Sequence, residues 1–181
     1  MRLRGVVVAL SDAIPKKAGP MLSALAEAGL QIVSVGQNLN RFDVPSVVHE
    51  ERAATARSVR FLIEQGRRRI AYVGRIKGSA VGTERFRGYR AALLEAGLPF
   101  DEALVWDNAF RYAAGYDAVS RALEGGLEFD ALQAGSDEMA MGAIAALTDR
   151  GVVVPRDVAV VGFGDVEMGR YLRPSLTTLS N

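Results

Sequence analysis

The chain has 181 residues, 49% of them hydrophobic and 24% charged, which is typical of a folded globular protein and excludes a disordered one. Its 22 basic and 21 acidic residues leave a formal charge of +1, so no overall field attracts nucleic acid or an anionic membrane. The absence of cysteine excludes disulfides, thiolate metal sites and a cysteine nucleophile, and it fits a cytoplasmic protein.

Strand and helix patterns alternate from the start of the sequence. An apolar run at Gly5–Leu10 predicts a buried strand, and apolar residues at helical spacing predict a helix that Gly29 ends. A second strand is predicted at Ile32–Val35. A polar connection, Asn38–Pro45, then leads to a short extended piece at Ser46–His49.

The same unit repeats through the rest of the chain. Short apolar runs predict strands at Ile70–Gly74, Ala103–Trp106, Ala131–Ala134 and Val158–Asp165. Helical spacing of apolar residues predicts helices that end at Gly66, Gly97, Gly125 and Gly151. Thr83 is expected to cap the second of these helices. The buried face of that helix is expected to carry Phe86, Tyr89, Leu93 and Leu94.

Short connections between alternating strands and helices predict an α/β fold with a mostly parallel, Rossmann-like sheet. The near-continuous apolar run that begins at Val158 suits a strand covered by helices on both faces. In such sheets the ligand crevice lies just beyond the carboxyl ends of the strands. Phe163, Gly164 and Asp165 follow this strand and are therefore expected at the crevice.

Several motifs, in order, resemble the effector-binding region of the LacI/GalR family of bacterial transcription regulators. They are Val44–Val47 (VPSV), Gly66–Gly74 (GRRRIAYVG), Arg85–Tyr89 (RFRGY), Gly135–Ala143 (GSDEMAMGA), Val154–Val158 (VPRDV) and Pro174–Thr178 (PSLTT). Each motif is weak alone, but their joint order and spacing cover nearly the whole chain.

The resemblance implies two lobes of the type I periplasmic-binding-protein-like fold, hinged around a small-molecule cleft, in a dimer that binds operator DNA through a helix-turn-helix. By this resemblance, residues 1–48 are part of the first lobe, 49–164 form the second lobe, and 165–181 cross back toward the first. No helix-turn-helix is recognised in the sequence, and the first lobe is expected to be incomplete. The chain is therefore expected to be a fragment or the product of a truncated gene.

Arg85 and Gly164 carry the ligand hypothesis. By resemblance, Arg85 is the family arginine that holds ligand oxygens with its forked donors, although a solvated arginine on a helix face is the alternative. Most sugar- and purine-responsive members resemble Gly-aromatic-Asp-Asp where this chain has Gly162-Phe163-Gly164-Asp165. The missing carboxylate resembles the gluconate-responsive branch and favours a sugar acid such as gluconate, unless Gly164 simply ends the strand.

Two candidates precede the second lobe. His49, the only histidine, matches the family position at the lobe crossover that faces the ligand. Its imidazole can hydrogen-bond a hydroxyl or, if protonated, pair with a carboxylate, but a structural or exposed histidine is equally expected. The neighbouring Glu50 is expected to face solvent. Gln37, after the predicted strand Ile32–Val35, is a weaker ligand candidate.

Three further positions lie in the second lobe. Phe110 matches a family aromatic that packs on the apolar face of the ligand, with ordinary loop packing as the alternative. Ser136 is a candidate ligand contact, whereas Asp137 is expected to cap the following helix. Asp165 is included because it follows the predicted crevice strand.

Other functional classes lack supporting motifs. An enzyme is not favoured, because the sequence has a single histidine, no cysteine, no phosphate-binding Gly-x-x-x-x-Gly-Lys loop and no complete dinucleotide fingerprint. No cofactor or metal is expected. An α/β enzyme without a recognisable motif remains one alternative. A transport-type solute-binding protein is another, but the first residues do not read as an export signal. No apolar run approaches the roughly 18 residues of a membrane span.

Overall fold

A computed structural model of the chain describes residues 4–9, 18–76, 78–107 and 110–180. It divides into two compact units, the smaller comprising residues 1–50 and 78–81 and the larger comprising 51–77 and 82–181. The strands are β1 (Gly5–Ala9), β2 (Gln31–Val35), β3 (Ser46–Val47), β4 (Ile70–Val73), β5 (Val105–Trp106), β6 (Ala131–Ala134), β7 (Ala159–Gly164) and β8 (Thr177–Ser180). The α-helices are α1 (Ala18–Glu27), α2 (Glu51–Glu64), α3 (Ala80–Glu95), α4 (Tyr112–Glu124) and α5 (Asp137–Asp149).

The larger unit is built on a five-stranded sheet in the order β5-β4-β6-β7-β8, with every neighbouring pair parallel. Alternate residues of β4 face opposite sides of this sheet. Tyr72 packs with α2 and α3 through Val59 and Tyr89, whereas Val73 packs with α4 and α5 through Val119 and Leu147. Helices on both faces of a parallel sheet confirm the predicted α/β class.

Two glycines allow α4 and α5 to pack closely on one face of the sheet. A Cβ on Gly115 would overlap the backbone of Met139, and a Cβ on Gly142 would overlap the backbone of Tyr112. Close approach of these helices therefore depends on the missing side chains. The first turn of α5, which carries Ser136 and Asp137 at its start, is fixed in position by this packing.

The smaller unit contains a parallel three-stranded sheet in the order β1-β2-β3. One face of this sheet packs against a small core that includes Leu22 and Ile32. Leu39 and Val44, from the predicted polar connection, are also buried in this core and were not expected there. The opposite face exposes the side chains of Val7, Val33, Val35 and Val47.

Some sequence expectations are wrong in detail. Thr83 does not cap α3, because the helix already begins at Ala80. Leu94 is 80% exposed, since it lies about 100° around the helix from the buried Leu93. The predicted strand at Ala103–Trp106 is shorter, because residues Glu102–Leu104 form a 3₁₀ turn. Residues Thr177–Ser180 form β8, a strand that the sequence did not predict.

Candidate functional site

The candidate site of the larger unit lies at the carboxyl ends of β4, β6 and β7. These three strands are adjacent and parallel, so the residues that follow them meet at one edge of the sheet. Gly135 follows β6 directly, and Gly164 is the last residue of β7. Five of the predicted site residues belong to this same unit, namely Arg85, Phe110, Ser136, Gly164 and Asp165.

Arg85 of α3 places its guanidinium over this edge. The group stacks on the ring of Phe163, with the guanidinium carbon 3.6 Å from the ring centroid. The ring of Phe110 is the second aromatic neighbour, at 5.5 Å. Nη1 donates a hydrogen bond to the backbone carbonyl of Gly135. The structure thus brings Arg85 and Phe110 together, as the ligand hypothesis requires.

Glu51, at the start of α2, is the ionic partner of Arg85. Its Oε2 accepts a hydrogen bond from Arg85 Nε at 2.6 Å. The two side chains are only 10% and 9% exposed, which removes the alternative of a solvated arginine. Within the described residues, Arg85 Nη2 donates to no protein acceptor, and no donor reaches Glu51 Oε1. The pair therefore keeps one donor nitrogen and one acceptor oxygen for a ligand.

Glu51 was not among the residues expected at the site, whereas its neighbour Glu50 is exposed, as expected. A signal for Glu51 exists in the spacing of α2, where Glu51, Thr55 and Ser58 lie on one face and are all buried. Thr55 Oγ1 donates to the carbonyl of Glu51 at 2.9 Å, and Ser58 Oγ donates to the buried Gln133. A polar stripe on the buried face of a helix indicates side chains with partners inside the protein.

Tyr72 is a second buried polar residue near this pair. Its side chain is fully buried, and its hydroxyl has no hydrogen-bond partner among the described residues. Burial raises the pKa of Tyr72 well above its usual value, and the charge of Arg85 opposes this rise. Tyr72 therefore stays neutral next to the Arg85–Glu51 pair.

The expected helix cap is wrong: Ser136, and not Asp137, caps α5. Ser136 is the N-cap of α5, because its Oγ accepts from the backbone N–H of Met139 at 3.4 Å. Asp137 is fully buried and does not cap the helix. Its carboxylate accepts the N–H of Val166 at 2.8 Å and the hydroxyl of Thr178. Asp137 thus links α5 to β8 and to the segment after β7.

Gly162 and Gly164 leave room for this buried carboxylate. A Cβ on Gly162 would overlap Asp137 Oδ1, and one on Gly164 would lie 3.5 Å from Oδ2. Gly164 also has a φ of +136°, a conformation that other residues rarely adopt. Asp165 has a φ of 58° and its carboxylate lies 3.6 Å from Arg170. The glycine at 164 thus has a conformational reason that does not depend on a ligand.

The two remaining candidates belong to the smaller unit. Gln37 and His49 each follow the end of a strand, β2 and β3 respectively, and these strands are parallel neighbours. Gln37 is buried, and its backbone carbonyl accepts a hydrogen bond from the hydroxyl of Ser34 at 2.8 Å. His49 and Glu50 are exposed. Both candidates therefore lie at the carboxyl edge of their own sheet.

Residues 4–9, 18–76, 78–107 and 110–180 contain no group of three or more histidine or carboxylate side chains that could hold a metal ion. Within those same ranges, none of the helices is both long and apolar enough to cross a membrane.

Comparison with known proteins identifies the relatives of this chain. The family model of the periplasmic binding protein-like domain matches residues 59–181. The regulator CelR of Thermobifida fusca is 36% identical over 163 residues, which are 89% of this chain and 48% of that protein. The chain spans about half the length of the curated relatives it matches. These relatives are transcription regulators and not enzymes, which confirms the expectation of a non-enzymatic protein.

Solved structures of transcription regulators are also similar to this chain. A LacI-family regulatory protein from Chloroflexus aggregans superposes with a TM-score of 0.87 at 28% identity, over 98% of this chain and 62% of that one. A complex of the transcriptional regulator CelR with cellobiose superposes with a TM-score of 0.85 at 33% identity, over 98% of this chain and 54% of that one.

Proposed function

The chain belongs to the periplasmic binding protein-like domain family, in the form found as the effector-binding region of LacI/GalR-type transcription regulators, and we propose that it binds a small sugar-like effector at Arg85. The observation that carries this proposal is the geometry of Arg85. Its guanidinium is buried at the carboxyl edge of a parallel sheet, stacked on Phe163, and retains an unused donor nitrogen. A forked donor next to aromatic rings suits a polyhydroxylated ring.

The class of effector that we propose is a sugar or a sugar acid. The CelR relative was solved with cellobiose, a neutral sugar. The hypothesis of a sugar acid such as gluconate depends on the missing carboxylate at Gly164. The φ of +136° gives this glycine a conformational role as well, so gluconate stays a hypothesis to be tested beside neutral sugars.

Gln37 and His49 are proposed as further effector contacts, together with Ser136 and Asp165. All four lie at the carboxyl edges of their parallel sheets, which is where ligands bind in α/β folds. Ser136 has its hydroxyl engaged in capping α5, and Asp165 is paired with Arg170, so each of these two would have to share its present partner with a ligand.

The mechanism that we propose is a shift between arrangements of the two lobes. An effector changes the regulator only if it binds one arrangement more tightly than the other. Operator DNA is the second partner that we propose, bound through a helix-turn-helix that is not recognised in this sequence, so that the shift between lobe arrangements changes DNA binding.

A homodimer is part of the proposal, and exposed apolar side chains support it. Met168 and Tyr171 are 60% and 68% exposed on a 3₁₀ turn whose Gly169 lies against Met141 of α5. Tyr112, also exposed, opens α4, which crosses α5 closely. Sedimentation of the wild type and of Tyr171→Glu checks this surface. A wild-type dimer that the variant converts to monomer is expected, whereas an unchanged dimer would place the interface elsewhere.

Thermal-shift titration of the chain with neutral sugars and sugar acids tests effector binding. A ligand at 100 times its dissociation constant stabilises a protein by about 2.7 kcal/mol, which is readily measured. Arg85→Ala is expected to abolish the shift, while Arg87→Ala, at an exposed position of the same helix, is the matched control. Equal shifts in both variants would show that Arg85 is not the effector site.

A further inference from the structure

Glu51 is the buried ionic partner of Arg85 at the candidate site. We infer that Glu51 makes the site select neutral polyhydroxylated ligands and reject the matching acids, an inference that rests on the proposed effector site. Its carboxylate already occupies Arg85 Nε at 2.6 Å. The juxtaposition of one buried guanidinium with one buried carboxylate leaves no net positive charge for an anionic ligand.

The burial of the pair gives this arrangement its strength. Both side chains are about nine-tenths buried, so water screens their charges poorly. A ligand carboxylate that approached Arg85 would also approach Glu51, and the two like charges would repel one another because water screens them poorly. Because the guanidinium has its counter-charge in place, the ligand gains little from supplying another.

The atoms left over in the pair match a hydroxyl group instead. A hydroxyl both donates and accepts a hydrogen bond. Arg85 Nη2 can donate to one hydroxyl oxygen, and Glu51 Oε1 can accept from a neighbouring hydroxyl. Two vicinal hydroxyls of a sugar satisfy both atoms at once, and the ring of Phe110, whose centroid is 5.5 Å from the guanidinium carbon, offers an apolar surface to the sugar ring.

Asp137 adds a second negative charge beside the position where a carboxylate is missing. Its Oδ2 would lie 3.5 Å from a Cβ on Gly164. Glycine at 164 therefore does not make this edge of the sheet positive, because the fully buried Asp137 carboxylate remains. With Arg85 balanced by Glu51, the nearby charges oppose an acidic ligand.

Calorimetric titration of the full chain tests the inference with two matched pairs of probes, glucose with gluconate and cellobiose with cellobionate. The wild type is expected to bind the neutral member of a pair at least tenfold more tightly than the acid, a difference of about 1.4 kcal/mol in binding free energy. In Glu51→Gln the ratio of the dissociation constants of acid and neutral sugar is expected to fall by about tenfold, because the amide keeps the shape of the side chain and loses its charge.

Two control variants separate charge from folding. Glu51→Asp keeps the charge and is expected to keep rejecting acids, and Glu50→Gln, at an exposed neighbour, is expected to leave the ratio unchanged. Circular dichroism establishes that each variant is folded. A wild type that prefers acids, or a ratio that Glu51→Gln does not change, would overturn the inference while leaving the proposed function intact. Absence of binding for all four probes in every variant would overturn the proposed function and this inference with it.

Discussion

Two buried tyrosines whose rings pack against each other at a tilt, Tyr72 of β4 and Tyr89 of α3, differ in one hydrogen bond. Their ring centroids are 5.1 Å apart. The hydroxyl of Tyr89 donates to the carbonyl of Ile70 at 2.8 Å. The hydroxyl of Tyr72 has no partner among the described residues and is fully buried. We predict that removing the two hydroxyls has opposite effects on stability.

The expected sizes follow from the cost of burying a hydroxyl. In proteins, an unbonded buried hydroxyl costs about 1–3 kcal/mol, whereas a bonded one contributes about 1 kcal/mol. Tyr72→Phe removes an uncompensated group and keeps the ring, so it is expected to raise the free energy of unfolding by about 1 kcal/mol. Tyr89→Phe leaves the carbonyl of Ile70 without this donor and is expected to lower it by about 1 kcal/mol.

Urea unfolding followed by tryptophan fluorescence measures both changes. Trp106 is the only tryptophan and packs against Phe129 in the larger unit, so its emission reports the unfolding of that unit. With a urea slope of about 2 kcal/mol per molar, a change of 1 kcal/mol moves the midpoint by about 0.5 M. The midpoints of the two variants are therefore expected to differ by about 1 M.

A dependence on alkaline pH provides a second readout. Burial raises the pKa of Tyr72 and of Tyr89 in the folded protein above the usual value of about 10. Because the folded pKa is the higher one, the stability is fully present below about pH 10 and is lost as pH rises further. Tyr72→Phe is expected to reduce this loss. A Tyr72→Phe variant that is destabilised by as much as Tyr89→Phe would refute the reasoning, since it would mean that the hydroxyl is bonded.

Three further predictions concern close packing, backbone conformation and charge. Gly142→Ala is expected to lower the free energy of unfolding by about 1–3 kcal/mol, because its Cβ would overlap the backbone of Tyr112; urea unfolding checks this. Gly164→Ala is expected to cost about 1–3 kcal/mol through its φ of +136°, measured as a lower thermal midpoint. The hydrogen bonds from Arg156 and from the N–H of Val153 lower the pKa of Asp157 to about 2. The contribution of Asp157 to the free energy of unfolding is therefore lost as pH falls from about 4 to 2. Asp157→Asn is expected to flatten that part of the acid unfolding curve.

Each of these three has an outcome that would contradict it. Unchanged stability of Gly142→Ala would mean that α4 and α5 separate without cost. A Gly164→Ala variant as stable as the wild type would show that the end of β7 adopts another conformation. An acid transition that is identical in Asp157→Asn and in the wild type would mean that other carboxylates control it.

Hydropathy spacing and glycine stops were sufficient to predict most elements of this fold. The strand β6 has its predicted bounds, and β4 and β7 differ by one residue at their ends. Gly29 and Gly97 end the helices that they were expected to end, with φ values of +81° and +65°. These signals depend on residues close together in sequence, so they can be recognised without the tertiary structure.

The wrong predictions concern neighbouring residues that are equally suited to the same structural role. Ser136 and Asp137 can both cap a helix, and the partners that settle their roles are Val166 and Thr178, far along the chain. Leu93 and Leu94 have the same hydropathy, and only the packing of α3 on the sheet selects Leu93 for the core. Sequence spacing alone does not fix the phase of a helix around its axis.

The sequence by itself determined the α/β class and the order of the elements, because periodicity and glycine stops are properties of neighbouring residues. The family resemblance singled out Arg85 as a candidate. Only the tertiary structure decided what Arg85 contacts. Glu51 is 34 positions earlier in the chain and Gly135 is 50 positions later, and the parallel order of β4, β6 and β7 brings both to one guanidinium. The charge at this edge of the sheet depends on this meeting of distant residues, since the carboxylate of Glu51 balances the buried guanidinium of Arg85.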